Sequence, residues 1–166
     1  YGNKRESRCN RLNAKSFMTN NFMIKKDVFL STRFDESMVG YGHEDTAFGI
    51  ELKKKGYKFK VIKNPIIHIG LYDANDFIRN TRNSIYDLVM IVDQKYKMED
   101  FFDIRLVKTY FIINRLGLGM FCSFCFRLIS PSIEKNLQSK YPNLCLLDIY
   151  KLGYYSMVYR NRKANR

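Results

Sequence analysis

Apolar and polar residues along this chain follow two different rhythms, one before and one after about residue 74. In "YKFKV" (57–61), Tyr57, Phe59 and Val61 alternate with Lys58 and Lys60, the two-residue period of a strand with one face buried. "KSFMTNNFMIKK" (15–26) has strand composition around the polar pair Asn20-Asn21, and "NPIIHIG" (64–70) is a turn followed by a short apolar strand. Between them, Asp27 can cap a short helix through Val28, Phe29 and Leu30. "RFDESMVGYGH" (33–43) has the chemistry of a loop. A helix is predicted from Asp45 to Lys55, with Ala47, Phe48 and Leu52 on its apolar face, cations in its last turn and Gly56 ending it.

Beyond residue 74 the helical period takes over. Residues 76–96 space Ile78, Ile85, Leu88, Val89 and Val92 as one stripe. A second helix is predicted over 103–116, and residues 117–129 continue or restart it, stopping at Ser130-Pro131. Two more are predicted at about 131–139 and 144–159. The expectation is therefore a mixed α/β part over residues 1–74 and an all-helical region over 75–166. "TYFIINRLGLGMFCSFCFRLI" (109–129) has the length of a membrane span, but Arg115 and Arg127 oppose a spanning role. A helix packed in the protein is the favoured reading, ahead of one lying in a membrane interface.

Composition adds sign and compartment. The chain has 166 residues, 46% hydrophobic and 27% charged, enough for a folded domain with a core. Its net charge of +13 favours anionic partners: nucleic acid, anionic lipid, or sugar-nucleotide and lipid-linked phosphates. An RNA-binding module is disfavoured, because the arginine and aromatic sheet pattern of such modules is missing. Of Cys9, Cys122, Cys125 and Cys145, only Cys122 and Cys125 are close, in an apolar run that reads as helix. They are expected as buried thiols rather than zinc ligands or disulfide partners. No basic-then-apolar leader opens the sequence, and Tyr1 begins in a basic, polar stretch, as in a piece cut from a longer chain.

The chemistry-bearing stretch is "VGYGHEDTAFGIELKKKGYKF" (39–59). Gly40 and Gly42 permit unusual backbone angles and close approach of a ligand. Glu44 and Asp45 then stand side by side at a predicted helix start, where one capping residue would suffice. An ionised carboxylate held at a helix N-terminus can serve as a general base toward a hydroxyl. A capped helix with one extra acid is the plainer reading of the same residues.

The motif order adds to this. "NNFMIKK", then "FDESMVGYGHEDTAFGIELKKKGYKF", then "NPIIHIG" resembles the C-terminal half of GT-A glycosyltransferases. The likeness is greatest to family 2 enzymes and the galactosyltransferase-type C-terminal domain, and it covers about residues 15–70. It implies the acceptor-side part of a GT-A fold with a few strands, followed by the helical tail. Asp45 would be the base that deprotonates the acceptor hydroxyl. Glu44 would hydrogen-bond the acceptor sugar, with Tyr41, Gly42 and His43 as its platform. Asp35 and Glu36 would lie in the loop beside the site, Asn21 near the donor, and His68 would coordinate a divalent ion, Mn or Mg, on the nucleotide diphosphate.

The sequence departs from that family at Arg33, where a glycine is usual, and at His43. It also contains no Asp-x-Asp, the family's metal-binding motif of the donor half. The expectation is a C-terminal portion, inactive alone and holding no metal tightly. Its parent would transfer a sugar from a nucleotide-sugar donor to a saccharide acceptor, with inversion, in polysaccharide or glycan synthesis. A cytoplasmic location, peripheral membrane contact, no nucleic acid and a homo-oligomer paired through residues 15–24 or 57–69 complete the expectation. The rival is a non-catalytic basic module that binds an anionic polymer or a membrane surface.

Overall fold

The computed structural model describes residues 17–19, 21–36, 42–60, 62, 73–94 and 96–165. Helix accounts for 71% of them, and none forms a strand. The mixed α/β expectation is thereby corrected: the described part of the chain is all-helical. Residues 17–19 and 21–25, and the alternating 57–60, are irregular rather than β. The reason is that alternation sets which side chains share a face, whereas a strand exists only when a neighbour completes its ladder. Among the described residues no such neighbour is present. The strand expected at 64–70 lies outside the described residues.

The chain divides into two compact units, residues 1–71 and 72–166. The first contains α1 (Lys26–Ser31) and α2 (Glu44–Lys54). Asp27 lies inside the first turn of α1 instead of capping it; Lys25 holds the cap position. Phenylalanines hold this unit together. Phe48 of α2 stacks on Phe34 at 4.4 Å between centroids and meets Phe17 at 5.5 Å and Phe29 at 6.1 Å. Phe17 also touches Phe59 at 5.7 Å, so the apolar member of the alternating segment docks on another ring. Such ring pairs add about 0.5–1.5 kcal/mol each beyond area burial. At the far end of α2, Gly56 has φ +79°, its N–H bonds the carbonyl of Lys53 at 2.9 Å, and that of Tyr57 bonds Leu52 at 3.0 Å. This pair of bonds is the Schellman stop that the glycine predicts.

The second unit contains α3 (Ala74–Gln94), a 3-10 turn (Met98–Phe101), α4 (Arg105–Arg115), α5 (Gly119–Leu137) and α6 (Leu144–Ala164). Its most extensive packing is α5 against α6, with α3 and α4 also against α6. The predicted stripe of α3 is buried, joined by Ile91. Ile78, Phe126, Ile133, Leu137, Leu147 and Tyr150 form one core cluster drawn from α3, α5 and α6. Gly117, at φ +75°, stops α4 by the same two-bond motif as Gly56.

Pro131 does not stop α5, contrary to the sequence expectation; the helix continues to Leu137. Proline removes the N–H that would bond the Arg127 carbonyl, which in isolation costs about 3 kcal/mol. Phe126 before it and Ile133 and Leu137 after it belong to the same core cluster, so packing on both sides keeps the two segments in one helix. Cys122 and Cys125 sit half-buried on α5, and Cys145 is exposed. Burial pushes the Cys122 thiol up, partly offset by its contact with Ser156.

Candidate functional site

The paired carboxylates open α2, and neither is the cap. His43 takes the cap position with φ +73°, in the left-handed region, directly after Gly42 at φ +98°. Two consecutive residues with positive φ turn the chain sharply into the helix. For glycine this is free; for histidine it costs on the order of 1 kcal/mol, and such positions cluster at functional sites. The His43 carbonyl accepts the N–H of Ala47 at 2.9 Å and so begins the helical ladder.

Glu44 is exposed and Asp45 half-buried, both in the first turn. The Oδ1 of Asp45 accepts the backbone N–H of Thr46 at 2.6 Å and the Thr46 hydroxyl at 3.3 Å. Thr46 Oγ1 also lies 3.5 Å from His43 Nδ1. Histidine, threonine and aspartate thus share one small polar network, with the carboxylate oriented by a first-turn N–H that lacks an intrahelical partner. Sequence reasoning missed Thr46. Its signal is position: a threonine in a first turn bonds local groups rather than pointing idly to solvent.

The remaining predicted residues divide. Asp35 is half-buried and Glu36 exposed, at the end of the segment that leaves α1. Phe34, immediately before them, is stacked on Phe48 of α2, so the acidic segment is tied to the helix that carries Glu44 and Asp45. Asn21 is exposed, close in sequence to Phe22, whose ring meets Phe17 edge-on at 5.6 Å. Tyr41 and His68 lie outside the described residues, as does Asn20. Among the described residues no group of three or more His, Cys, Asp or Glu side chains is arranged to hold a metal ion. The second unit supplies a separate polar cluster, in which Arg82 donates to Tyr150 Oη at 2.5 Å and to Glu134, and Tyr150 donates to Glu134 at 2.8 Å. Burial opposes the Arg82 charge, yet these bonds leave its pKa above the usual value. The cluster joins α3, α5 and α6 and reads as a structural tie.

What the first site can do is limited and definite. It presents two carboxylates on a rigid first turn, one held by local donors and one reaching solvent, beside a histidine in a strained backbone position. That arrangement suits binding of hydroxyl-rich molecules, with carboxylate oxygens accepting from hydroxyls and one of them able to take a proton. No family model, no curated protein and no solved structure matches the chain.

Proposed function

We propose that the α2 site is the acceptor-binding and base-carrying element of a glycosyltransferase. The observation that carries the reading is the first turn of α2: Asp45 fixed by Thr46, Glu44 exposed beside it, and Gly42-His43 turning the chain into the helix with two positive φ angles. Glu44 would accept a hydrogen bond from one hydroxyl of an acceptor sugar. Asp45 would take the proton from the attacking hydroxyl as its oxygen bonds to the anomeric carbon of the donor, and the nucleotide diphosphate would leave from the opposite face. Thr46 and the helix dipole favour the charged carboxylate before the reaction. The nucleotide sugar and any divalent ion would be held by groups outside residues 1–166, since the chain contains no Asp-x-Asp.

Two measurements test this. Saccharide binding by the 166-residue chain, read by saturation-transfer NMR over a panel of hexoses and disaccharides, should be lost in Glu44→Ala. In a longer protein that contains these residues together with a donor site, Asp45→Asn should lower turnover at least about a hundredfold. Its melting temperature should stay nearly unchanged, because an asparagine amide oxygen at this position can still accept the Thr46 N–H. Full turnover in that variant would remove Asp45 from the reaction.

A further inference from the structure

The first three turns of α5 are apolar on both sides. One face packs inward through Gly119, Ser123 and Phe126. The other carries Met120, Phe121, Phe124 and Leu128, of which Phe121 is 66%, Phe124 59% and Leu128 66% exposed. Leu116 and Leu118, in the elbow between α4 and α5, extend that surface. On the scale of about 200 Å² for a large side chain, these six residues expose roughly 740 Å², more than the largest apolar patch of a typical monomer. Beside them opens an apolar groove of about 270 Å³ whose walls include Ile113, Leu118, Phe121, Ile129, Ile149 and Leu152.

The charges around this surface decide what can cover it. Residues 104–133 contain no carboxylate, and they carry Arg105, Lys108, Arg115 and Arg127. Arg105, Lys108, Ile112 and Arg115 are all exposed and recur at spacings of three and four, so they form the outward stripe of α4 leading into the elbow. A second copy of the chain would bring these cations against themselves across a two-fold axis, on molecules that each carry +13. A bilayer with anionic headgroups answers both halves of the surface at once. Phenylalanine and leucine enter the acyl boundary, while long basic side chains reach the phosphates.

The depth of entry also follows. Between Arg115 and Arg127 only eleven residues are uncharged, about half of what a span requires. No single helix among the described residues is long and apolar enough to cross a membrane, and α4 and α5 meet at a bend of 118°. We propose that the α4–α5 elbow is a docking surface for an anionic membrane. It inserts Leu118, Phe121 and Phe124 into the headgroup–acyl boundary, and the neighbouring groove receives a segment of lipid chain. This inference stands independently of the glycosyltransferase reading.

The test uses the absence of tryptophan from the chain. Phe124→Trp gives a single reporter on the exposed face of α5. With vesicles of phosphatidylcholine and 30% phosphatidylserine, its emission should shift to the blue and be quenched by lipids brominated in the upper acyl chain. Pure phosphatidylcholine should give a much weaker response. In co-sedimentation, each alanine at Arg105, Lys108 or Arg115 should weaken binding about fivefold. The exposed pair Phe121→Glu and Phe124→Glu should weaken it at least tenfold with the circular dichroism unchanged. Unshifted emission in the presence of anionic vesicles overturns the proposal. So does wild-type binding by the double glutamate variant, which would mean adsorption by charge alone. A concentration-dependent dimer that this variant abolishes would assign the surface to a second copy instead.

Discussion

Two buried tyrosines of α6 show how a single hydroxyl is judged by its partners. Tyr150 and Tyr155 are both fully buried. The Tyr150 hydroxyl accepts from Arg82 and donates to Glu134, whereas the Tyr155 hydroxyl has no hydrogen-bond partner among the described residues. Removing an unpaired buried hydroxyl recovers its desolvation penalty, while removing a paired one strands its neighbours. Tyr155→Phe should leave the melting temperature unchanged or raise it. Tyr150→Phe should destabilise by about 1–2 kcal/mol. Urea unfolding of the two variants side by side would show this, and a loss at Tyr155 equal to that at Tyr150 would contradict it.

At the scale of elements, α6 is the helix on which the second unit is assembled, and two features fix how it lies. Gly153 faces Phe126 of α5 so closely that an added Cβ would overlap the ring. Gly153→Ala should therefore cost about 1–3 kcal/mol by forcing α5 and α6 apart, although alanine is the better helix former. At its C-terminal end, Arg162 bonds Asp93 of α3 at 2.5 Å and Lys163 approaches the same carboxylate at 3.6 Å. The Asp93 side chain is only 3% exposed, so removing its charge leaves a cation facing a buried site. Asp93→Ala should cost about 1–3 kcal/mol, less than for a fully buried pair, because Arg162 and Lys163 are 25% and 52% exposed and keep access to solvent. Denaturant titration checks both variants; a Gly153→Ala protein as stable as the parent would mean that Phe126 can turn aside.

The whole molecule carries an alkaline weakness. Burial pushes Tyr110 up to about 12, and Tyr150, Tyr154 and Tyr155 are raised for the same leading reason. An ordinary tyrosine ionises near 10. The unfolded chain thus releases phenolic protons before the folded one. The stability this contributes is complete below about pH 10 and drains away as pH climbs toward 12. The expected outcome is a cooperative loss of helix between pH 10 and 12, with a jump in phenolate absorbance at the same midpoint. Smooth titration of every tyrosine with the helices intact would show that these phenols ionise without unfolding.

Local pattern was enough for the helices. The stripe of α3, the apolar face of α2 and the glycine stop at Gly56 depend on neighbours within two turns, and all could be read along the chain. The pairing of Glu44 with Asp45 was visible too, because adjacency needs no folding. The absence of strand at 57–60, the passage of α5 through Pro131 and the left-handed cap at His43 were decided by contacts distant in sequence or by the exact turn of the backbone. A ladder needs a partner strand, a proline needs packing on both flanks, and Asp45 needed Thr46 to orient it. Hydrophobicity told which residues of α5 are apolar; only the tertiary structure separated those that face Tyr150 and Gly153 from those left to solvent. A helix with apolar residues on every side carries no preferred face of its own, so the neighbours that happen to cover it make that choice.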